Sequence, residues 1–182
     1  PVGAVKVLDQ VGSRPSLAQT FRDTRGELFT VVVNHFRSKG SPCAGDPDLG
    51  DGQGECNLTR TAAAEALVDW LATGPTGSGD PDVLVMGDFN AYMREDPIQA
   101  IRAGADDQVG TSDDFEALDA AQQWSYVYDG QAGSLDHAFV SRSLQPAVSG
   151  ADFWHINADE PGVLGYDLNF KPPAQQALYE GN

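Results

Sequence analysis

The chain alternates short apolar runs with polar loops rich in glycine and proline. Runs rich in valine and leucine at residues 2–8, 28–35 and 83–88 have the length and β-branched content of strands. Weaker strand patterns follow at residues 17–21, 124–128, 134–140 and 148–153. Helical spacing of apolar residues predicts a helix over residues 58–72, capped by Asn57, and a shorter one over residues 96–103. The order of strand, helix and strand predicts an α/β arrangement.

The run at residues 83–88 ends in an unusual polar sequence, Gly87-Asp88-Phe89-Asn90. Because successive strand residues point to opposite faces, Asp88 and Asn90 are predicted to share a face, with Phe89 turned away. A carboxylate and a carboxamide at a strand end can hold a divalent cation, a water or a phosphate oxygen. The alternative is an ordinary Asp/Asn turn at the end of the strand.

Two more strand patterns carry polar groups of the same kind, His35 at the end of its strand and Asp136 at the start of another. Loops at strand ends are where catalytic groups gather. Either residue alone is more often structural, but three such positions in one chain favour a functional site. His137 follows Asp136 in its strand and is expected to point the other way, as a structural residue.

Composition favours one acidic domain in 182 residues. There are 27 acidic and 11 basic residues, and the net charge of -16 argues against simple electrostatic attraction to nucleic acid. The charge suits an extracellular or high-salt setting. The sequence contains no apolar run of membrane-spanning length and no charged-then-apolar leader. Because it starts in a strand pattern without Met, we expect a processed or excised piece.

The two cysteines, Cys43 and Cys56, bracket a loop with almost no apolar residues. Such a loop cannot order itself by burial, so we predict a disulfide that closes it, with two free thiols as the alternative. A disulfide implies an oxidising compartment. Zinc is disfavoured because no further Cys or His lies at the spacing of a zinc site.

Three motifs together resemble the endonuclease/exonuclease/phosphatase superfamily, the fold of pancreatic-type deoxyribonuclease and exonuclease III. They are NHFRSKG at residues 34–40, GDFNA at 87–91 and SLDHAFVS at 134–141. The resemblance covers nearly the whole chain and is nearest to the bacterial extracellular nucleases, in which a Cys-bounded loop follows the His strand. It implies part of a four-layered α/β sandwich, with two mixed β-sheets covered by helices (deoxyribonuclease I-like).

The resemblance also implies roles for individual residues. His35 would polarise the scissile phosphate, and Asp88 would orient or deprotonate the attacking water and bind the metal, Mg²⁺ or else Mn²⁺ or Ca²⁺. Asn90 would hold the phosphate or water, and Asp136 would orient a partner histidine. Other polar or basic side chains expected to contact substrate are Asn34, Arg14, Arg37 and Lys39.

The chain departs from the family pattern at both ends. It lacks the upstream Asn and metal-binding Glu and the final Ser-Asp-His motif, and neither His137 nor His155 replaces that motif. Residues 1–182 are therefore interpreted as one partial domain, its C-terminal half, which we expect to be weak or inactive alone.

The sequence thus favours a secreted or periplasmic, metal-dependent nuclease acting on DNA or RNA. A phosphomonoesterase or lipid phosphodiesterase of the same fold is the first alternative, such as an inositol-phosphate phosphatase or sphingomyelinase. A non-catalytic calcium-binding module is the second. Its candidate oxygen ligands form two acidic runs, Asp46, Asp48, Asp51 and Glu55, and Asp106, Asp107, Asp113 and Asp114.

Overall fold

A computed structural model describes residues 1–118, 124–128, 130–154 and 171–176 of the chain. The strands in these ranges are β1 (Val2–Leu8), β2 (Ser16–Arg22), β3 (Leu28–His35), β4 (Val83–Asp88), β5 (Phe115–Ala117), β6 (Tyr126–Tyr128), β7 (Gln131–Gly133) and β8 (Asp136–Ser141). The helices are α1 (Asn57–Ala72), α2 (Asp96–Ala103) and α3 (Pro173–Gln176), with a 3₁₀ turn at Gln145–Ala147. No helix in these ranges is long and apolar enough to cross a membrane.

Six strands form one mixed sheet in the order β1-β2-β3-β4-β8-β5, and β6 pairs with β7 as a separate hairpin. Strands β3 and β4 are parallel, while the other pairs in the sheet are antiparallel. The parallel pair requires a crossover, which α1 supplies. The predicted α/β class and the order of strand, helix and strand are confirmed. The described residues do not show a four-layered sandwich.

The hydrophobic core lies on one face of the six-stranded sheet, beneath α1 and α2. A row of fully buried residues runs across four strands at paired positions: Ala18, Val32, Val85 and Phe139. Alternation along each strand turns these side chains toward the helices. The helices contribute Ala64, Leu67, Ile98 and Ile101, which are also fully buried.

The opposite face of the sheet, which we call the open face, is apolar but largely uncovered. Its central row follows the strand pairings from β1 to β8: Val7, Leu17, Val33, Met86 and Ala138. Four of these side chains are 40–54% exposed. A contiguous apolar strip of this kind is typical of a surface that packs against a further element.

The predicted disulfide is confirmed, because Cys43 and Cys56 are bonded with their Cα atoms 5.4 Å apart. The predicted cap of α1 is wrong. Asn57 is the first helical residue, and the N-cap position is Cys56, whose φ of 64° is left-handed. The helix instead receives its cap from Asp46, which accepts the backbone N–H groups of Leu58 (3.2 Å) and Thr59 (2.7 Å).

Burial alone would raise the pKa of the Asp46 carboxyl. Hydrogen bonds from the backbone and hydroxyl of Thr59 and from Leu58 outweigh burial and hold this pKa below its usual value. The loop that the disulfide closes therefore also carries the cap of the helix that follows it.

Two further corrections concern strands. The sequence patterns predict no strand between residues 104 and 118, but Phe115–Ala117 forms β5 and pairs with β8 at the edge of the sheet. Residues 148–153 are expected to be a strand, but no strand forms there. His155 and most of the segment from residue 157 onward lie outside the described residues.

Candidate active site

Three candidate catalytic side chains occupy one row across the sheet. His35 on β3 pairs with Asp88 on β4 in the parallel ladder, and Asp88 pairs with Asp136 on β8 in the antiparallel ladder. His35 and Asp88 lie two residues beyond Val33 and Met86 on the same strands, so this row lies next to the apolar row of the open face. The structure thus brings together residues that are 101 positions apart in the sequence.

Arg14 and Asp88 contact opposite ends of the His35 ring. The Arg14 guanidinium Nη1 lies 2.7 Å from His35 Nδ1, and His35 Nε2 lies 3.6 Å from Asp88 Oδ2. A guanidinium only donates hydrogen bonds, so Nδ1 must be the acceptor. We infer that His35 carries its proton on Nε2, on the side that faces Asp88. The ring is therefore poised to donate a hydrogen bond at the site.

Asp88 lies in an environment that favours its protonated form more than water does. Burial is the main reason that the pKa of Asp88 is raised, and the negative charge of Asp136 adds to the effect. The N–H of Asn90, the His35 ring and the charge of Arg14 act in the opposite direction without cancelling it. A raised pKa makes a carboxylate a better proton acceptor, and such shifts are common among catalytic groups.

The turn after Asp88 depends on Gly87 and on an unusual backbone at Asn90. Gly87 has a φ of 141°, and a Cβ there would lie 2.1 Å from the carbonyl oxygen of Asn34, so no side chain fits. Strand β4 ends at Asp88, and Asn90 adopts a left-handed φ of 49°. The strand alternation that predicts a shared face for Asp88 and Asn90 therefore stops before Asn90. Phe89 does lie in the core, fully buried.

Asn90 reaches Asp88 through the backbone rather than by lying beside it in the strand. Its N–H donates to Asp88 Oδ1 at 2.8 Å, and its side-chain nitrogen donates to the carbonyl of Phe36 at 3.1 Å. Asn90 is only 7% exposed. Its contacts hold the Asp88 turn against the loop that follows His35.

The remaining predicted substrate contacts lie apart from the row or are engaged elsewhere. Asn34 is buried, accepts from the Ser16 hydroxyl at 2.5 Å and donates to the carbonyl of Met86 at 3.4 Å. Arg37 turns its guanidinium toward the carbonyl of Pro42, 3.5 Å away. These contacts are structural, so substrate binding by Asn34 or Arg37 stays a prediction.

Lys39 is engaged in the fold. Its Nζ lies 2.5 Å from Glu95 Oε1 and 4.5 Å from the centre of the Tyr92 ring. The Tyr92 ring packs so closely on Gly133 that a Cβ there would lie 2.6 Å from it. The stack of Lys39, Tyr92 and Gly133 thus joins the segments next to His35, Asp88 and Asp136. Substrate binding by Lys39 also stays a prediction.

Sequence reasoning missed the residues that hold these loops. Arg60 on α1 is fully buried and donates to the carbonyls of Gln53 (2.7 Å), Glu55 (2.7 Å) and Arg37 (3.4 Å). Burial lowers the pKa of its guanidinium, and nearby carboxylates partly offset that effect. A charged residue on a helix gives no sequence signal that it faces inward.

Ser125 is another missed residue, and it fixes the start of β8. Its hydroxyl oxygen accepts the backbone N–H groups of Leu135 and Asp136, each at 3.1 Å. His137 points to the other face, where it is 7% exposed and its Nε2 lies 2.8 Å from the carbonyl oxygen of Ala91. Asp136 is exposed at the site.

The described residues do not form a complete metal site. Asp88 and Asp136 are neighbouring carboxylates whose mutual repulsion a hard cation would relieve, and carboxylate oxygen is the donor that Mg²⁺ and Ca²⁺ prefer. The described ranges contain no cluster of three or more His, Cys, Asp or Glu side chains able to hold a metal ion. The same finding applies to the two acidic runs considered for calcium.

The structure thus places a histidine and two carboxylates in one row at the strand ends of a mixed α/β sheet. The sequence profile of the Endonuclease/Exonuclease/phosphatase family matches residues 9–157, which is most of the chain. The chain belongs to this family. Among curated proteins, none matches the chain.

Several solved structures are similar to this chain. They include the catalytic domain of human Nocturnin with a bound sulfate anion, at 17% identity over 76% of this chain and 48% of that one, with a TM-score of 0.49. The mannosyl-6-phosphatase of Bacteroides thetaiotaomicron is 16% identical over 75% and 46%, with a TM-score of 0.49. A beta toxin variant from Staphylococcus aureus with bound magnesium ions is 15% identical over 70% and 42%, with a TM-score of 0.48. This chain therefore spans less than half the length of each of these three.

Proposed function

We propose that the chain is part of a metal-dependent phosphodiester hydrolase, a nuclease that acts on DNA or RNA. One observation carries the proposal: the row of His35, Asp88 and Asp136, with Arg14 bonded to His35. The row combines a carboxylate that can accept a proton with a histidine fixed as a donor. These are the two functions that attack of water on a phosphate ester requires.

Each residue of the row has a distinct role in this proposal. Asp88 orients the attacking water and takes its proton as the new bond to phosphorus forms. The bond from phosphorus to the leaving ester oxygen breaks in the same displacement, and that oxygen takes a proton from solvent. His35 donates Nε2–H to a phosphoryl oxygen, and Arg14 holds the tautomer and adds positive charge. Asn90 keeps the Asp88 turn in place, and Asp136 orients a partner outside the described residues.

The metal ion belongs to the same proposal. Asp88 would hold Mg²⁺, with Asp136 beside it and the other ligands outside the described residues. Bound Mg²⁺ supplies Lewis-acid polarisation of the phosphoryl oxygen. The disulfide indicates an oxidising compartment, and we propose secretion or a periplasmic location.

The open face supports a proposal about architecture. A second sheet would cover the row of Val7, Leu17, Val33 and Met86 and complete a four-layered sandwich, of which residues 1–182 are the C-terminal half. We expect a dye that binds apolar surface to bind this chain strongly and a version extended at both ends weakly. Equal dye binding by both versions would contradict the proposal.

Two observations favour a second candidate, a phosphomonoesterase or lipid phosphodiesterase. The net charge of -16 repels a polyanion, and Lys39, an expected phosphate contact, is paired with Glu95. A substrate panel separates the candidates: supercoiled plasmid, RNA, a sugar phosphate and sphingomyelin vesicles, each with Mg²⁺, Mn²⁺ or chelator. Hydrolysis of plasmid or RNA by the extended version supports the nuclease. Hydrolysis of the sugar phosphate or of sphingomyelin, without hydrolysis of plasmid or RNA, would replace the nuclease proposal with the second candidate.

A further inference from the structure

Two tyrosines on β6 present aromatic rings to solvent. Tyr126 is 40% and Tyr128 67% exposed. They are two residues apart in a strand and therefore share a face. Their ring centres are 6.2 Å apart, with only 10° between the ring planes. Aromatic side chains usually bury a large apolar area, and in this nearly parallel pair much of that area is exposed to solvent.

The hairpin that carries these rings is attached to the candidate active site. Tyr126 pairs with Gly133, which lies three residues before Asp136, within about 10 Å along an extended chain. Ser125 holds the start of β8 through two hydrogen bonds, and its own N–H donates to the carbonyl of Gly133 at 3.1 Å. Tyr92 packs on Gly133 from the segment that follows Asp88. The hairpin is thus anchored beside the catalytic row.

We propose that Tyr126 and Tyr128 form a stacking surface for the bases next to the phosphodiester that the row cleaves. The proposal rests on the proposed nuclease function and names how its substrate is held. Stacking on aromatic rings contributes to binding of single-stranded nucleic acid whatever its sequence, because every base has a flat π face. It therefore supplies affinity that a chain with a net charge of -16 cannot obtain from a basic surface.

The composition of the hairpin disfavours a lipid surface as the partner. Membrane-inserting segments present Trp, Phe or Leu together with basic residues. The described hairpin residues 126–128 and 130–133 contain neither, and Gly130 and Gln131 follow the tyrosines. A tyrosine pair without such neighbours fits a base better than a bilayer.

The test compares two labelled single-stranded oligonucleotides with the same phosphate backbone, one of thymidines and one abasic. Binding to the 182-residue chain is measured by fluorescence anisotropy in chelator, which prevents cleavage. We expect the thymidine strand to bind more tightly than the abasic one. Loss of both rings in Tyr126→Ala/Tyr128→Ala should weaken thymidine binding roughly 5- to 150-fold, since one stacked base contributes about 1–3 kcal/mol.

Two variants serve as controls. Tyr126→Phe/Tyr128→Phe keeps both rings and should bind within roughly twofold of the wild type, because stacking needs the ring and not the hydroxyl. Val109→Ala removes an exposed apolar side chain (76% exposed) from another loop and should have no effect. The comparison of the thymidine and abasic oligonucleotides uses the wild-type chain alone, so its result does not depend on whether a variant folds.

Equal binding of the two strands by the wild type would overturn the stacking proposal, as would unchanged thymidine binding by the double alanine variant. If the extended protein nicks plasmid while either result holds, only the stacking proposal fails. If the chain binds neither strand and the extended protein cleaves no nucleic acid, the nuclease proposal fails with it. Tyrosine-dependent binding to phosphatidylcholine vesicles, without thymidine binding, would assign the rings to lipid.

Discussion

Replacing Lys39 with methionine separates two roles for this residue. The sequence predicts a contact with substrate phosphate, whereas the structure places Lys39 in an ion pair with Glu95. The two side chains are 19% and 9% exposed, and Glu95 Oε2 has no hydrogen-bond partner among the described residues. Lys39→Met would therefore leave a nearly buried carboxylate without its only ion-pair partner among the described residues.

The size of the effect follows from that burial. Removing one partner of a buried ion pair costs about 3–5 kcal/mol, and the nearby charge of Arg60 places this pair at the lower end. A loss of about 3 kcal/mol corresponds to a decrease in Tm of roughly 6–12 °C for a chain of this size. The double variant Lys39→Met/Glu95→Gln should be more stable than Lys39→Met, because no charge is left unpaired.

Urea unfolding followed by circular dichroism measures these free energies. Lys6→Met is the matched control, because Lys6 is exposed on β1 and should change stability by less than about 0.5 kcal/mol. The reasoning is refuted if Lys39→Met is as stable as Lys6→Met. It is also refuted if the loss of stability in Lys39→Met/Glu95→Gln equals the sum of the losses measured for Lys39→Met alone and for Glu95→Gln alone.

Three further changes test the local structure by urea unfolding. Gly87→Ala should destabilise the chain by more than about 3 kcal/mol, because the new Cβ would clash with the backbone carbonyl of Asn34. A loss below about 1 kcal/mol, the ordinary cost of a single substitution, would contradict this close approach of the two strands. Asp46→Asn should cost about 1 kcal/mol at pH 7, because both carboxylate oxygens accept backbone N–H groups of α1 and an amide has only one acceptor oxygen. Because the folded pKa of Asp46 is lowered, its contribution is present above the unfolded pKa of 3.8 and is lost as the pH falls through the folded value. The gap between wild type and Asp46→Asn should therefore narrow in acid, and a gap that does not depend on pH would count against the cap. The double variant Cys43→Ser/Cys56→Ser should cost about 3 kcal/mol, since the disulfide closes a loop with a sequence separation of 13. An unchanged free energy of unfolding in this variant would show that the loop is ordered without the disulfide.

The strands and the strand-end positions of His35 and Asp88 could be predicted because their signals are local. The runs at β3 and β4 are continuous and apolar, so their ends are clear, and His35 and Asp88 follow directly from those ends. Strand β5 gave no such signal. It has three residues in an acidic segment, and its pairing with β8 is a tertiary contact.

The parts that could not be predicted depend on partners far away in the sequence. Lys39 belongs to a basic run when only its neighbours are considered, but its partner Glu95 is 56 residues away. The cap of α1 comes from Asp46, which the closed loop places at the helix start. Propensity correctly favours a helix near Asn57 but cannot show which side chain satisfies its first N–H groups.

The most direct test of the central claim is the rate at which supercoiled plasmid is nicked in Mg²⁺ by the extended protein and by its Asp88→Asn variant. Asp88→Asn keeps the shape of the side chain and removes the proton acceptor, and Asp9→Asn, at an exposed position, is the matched control. We predict a rate lower by about 10²- to 10⁴-fold for Asp88→Asn and an unchanged rate for Asp9→Asn. Equal nicking by the wild type and Asp88→Asn would show that the row of His35, Asp88 and Asp136 does not carry the chemistry.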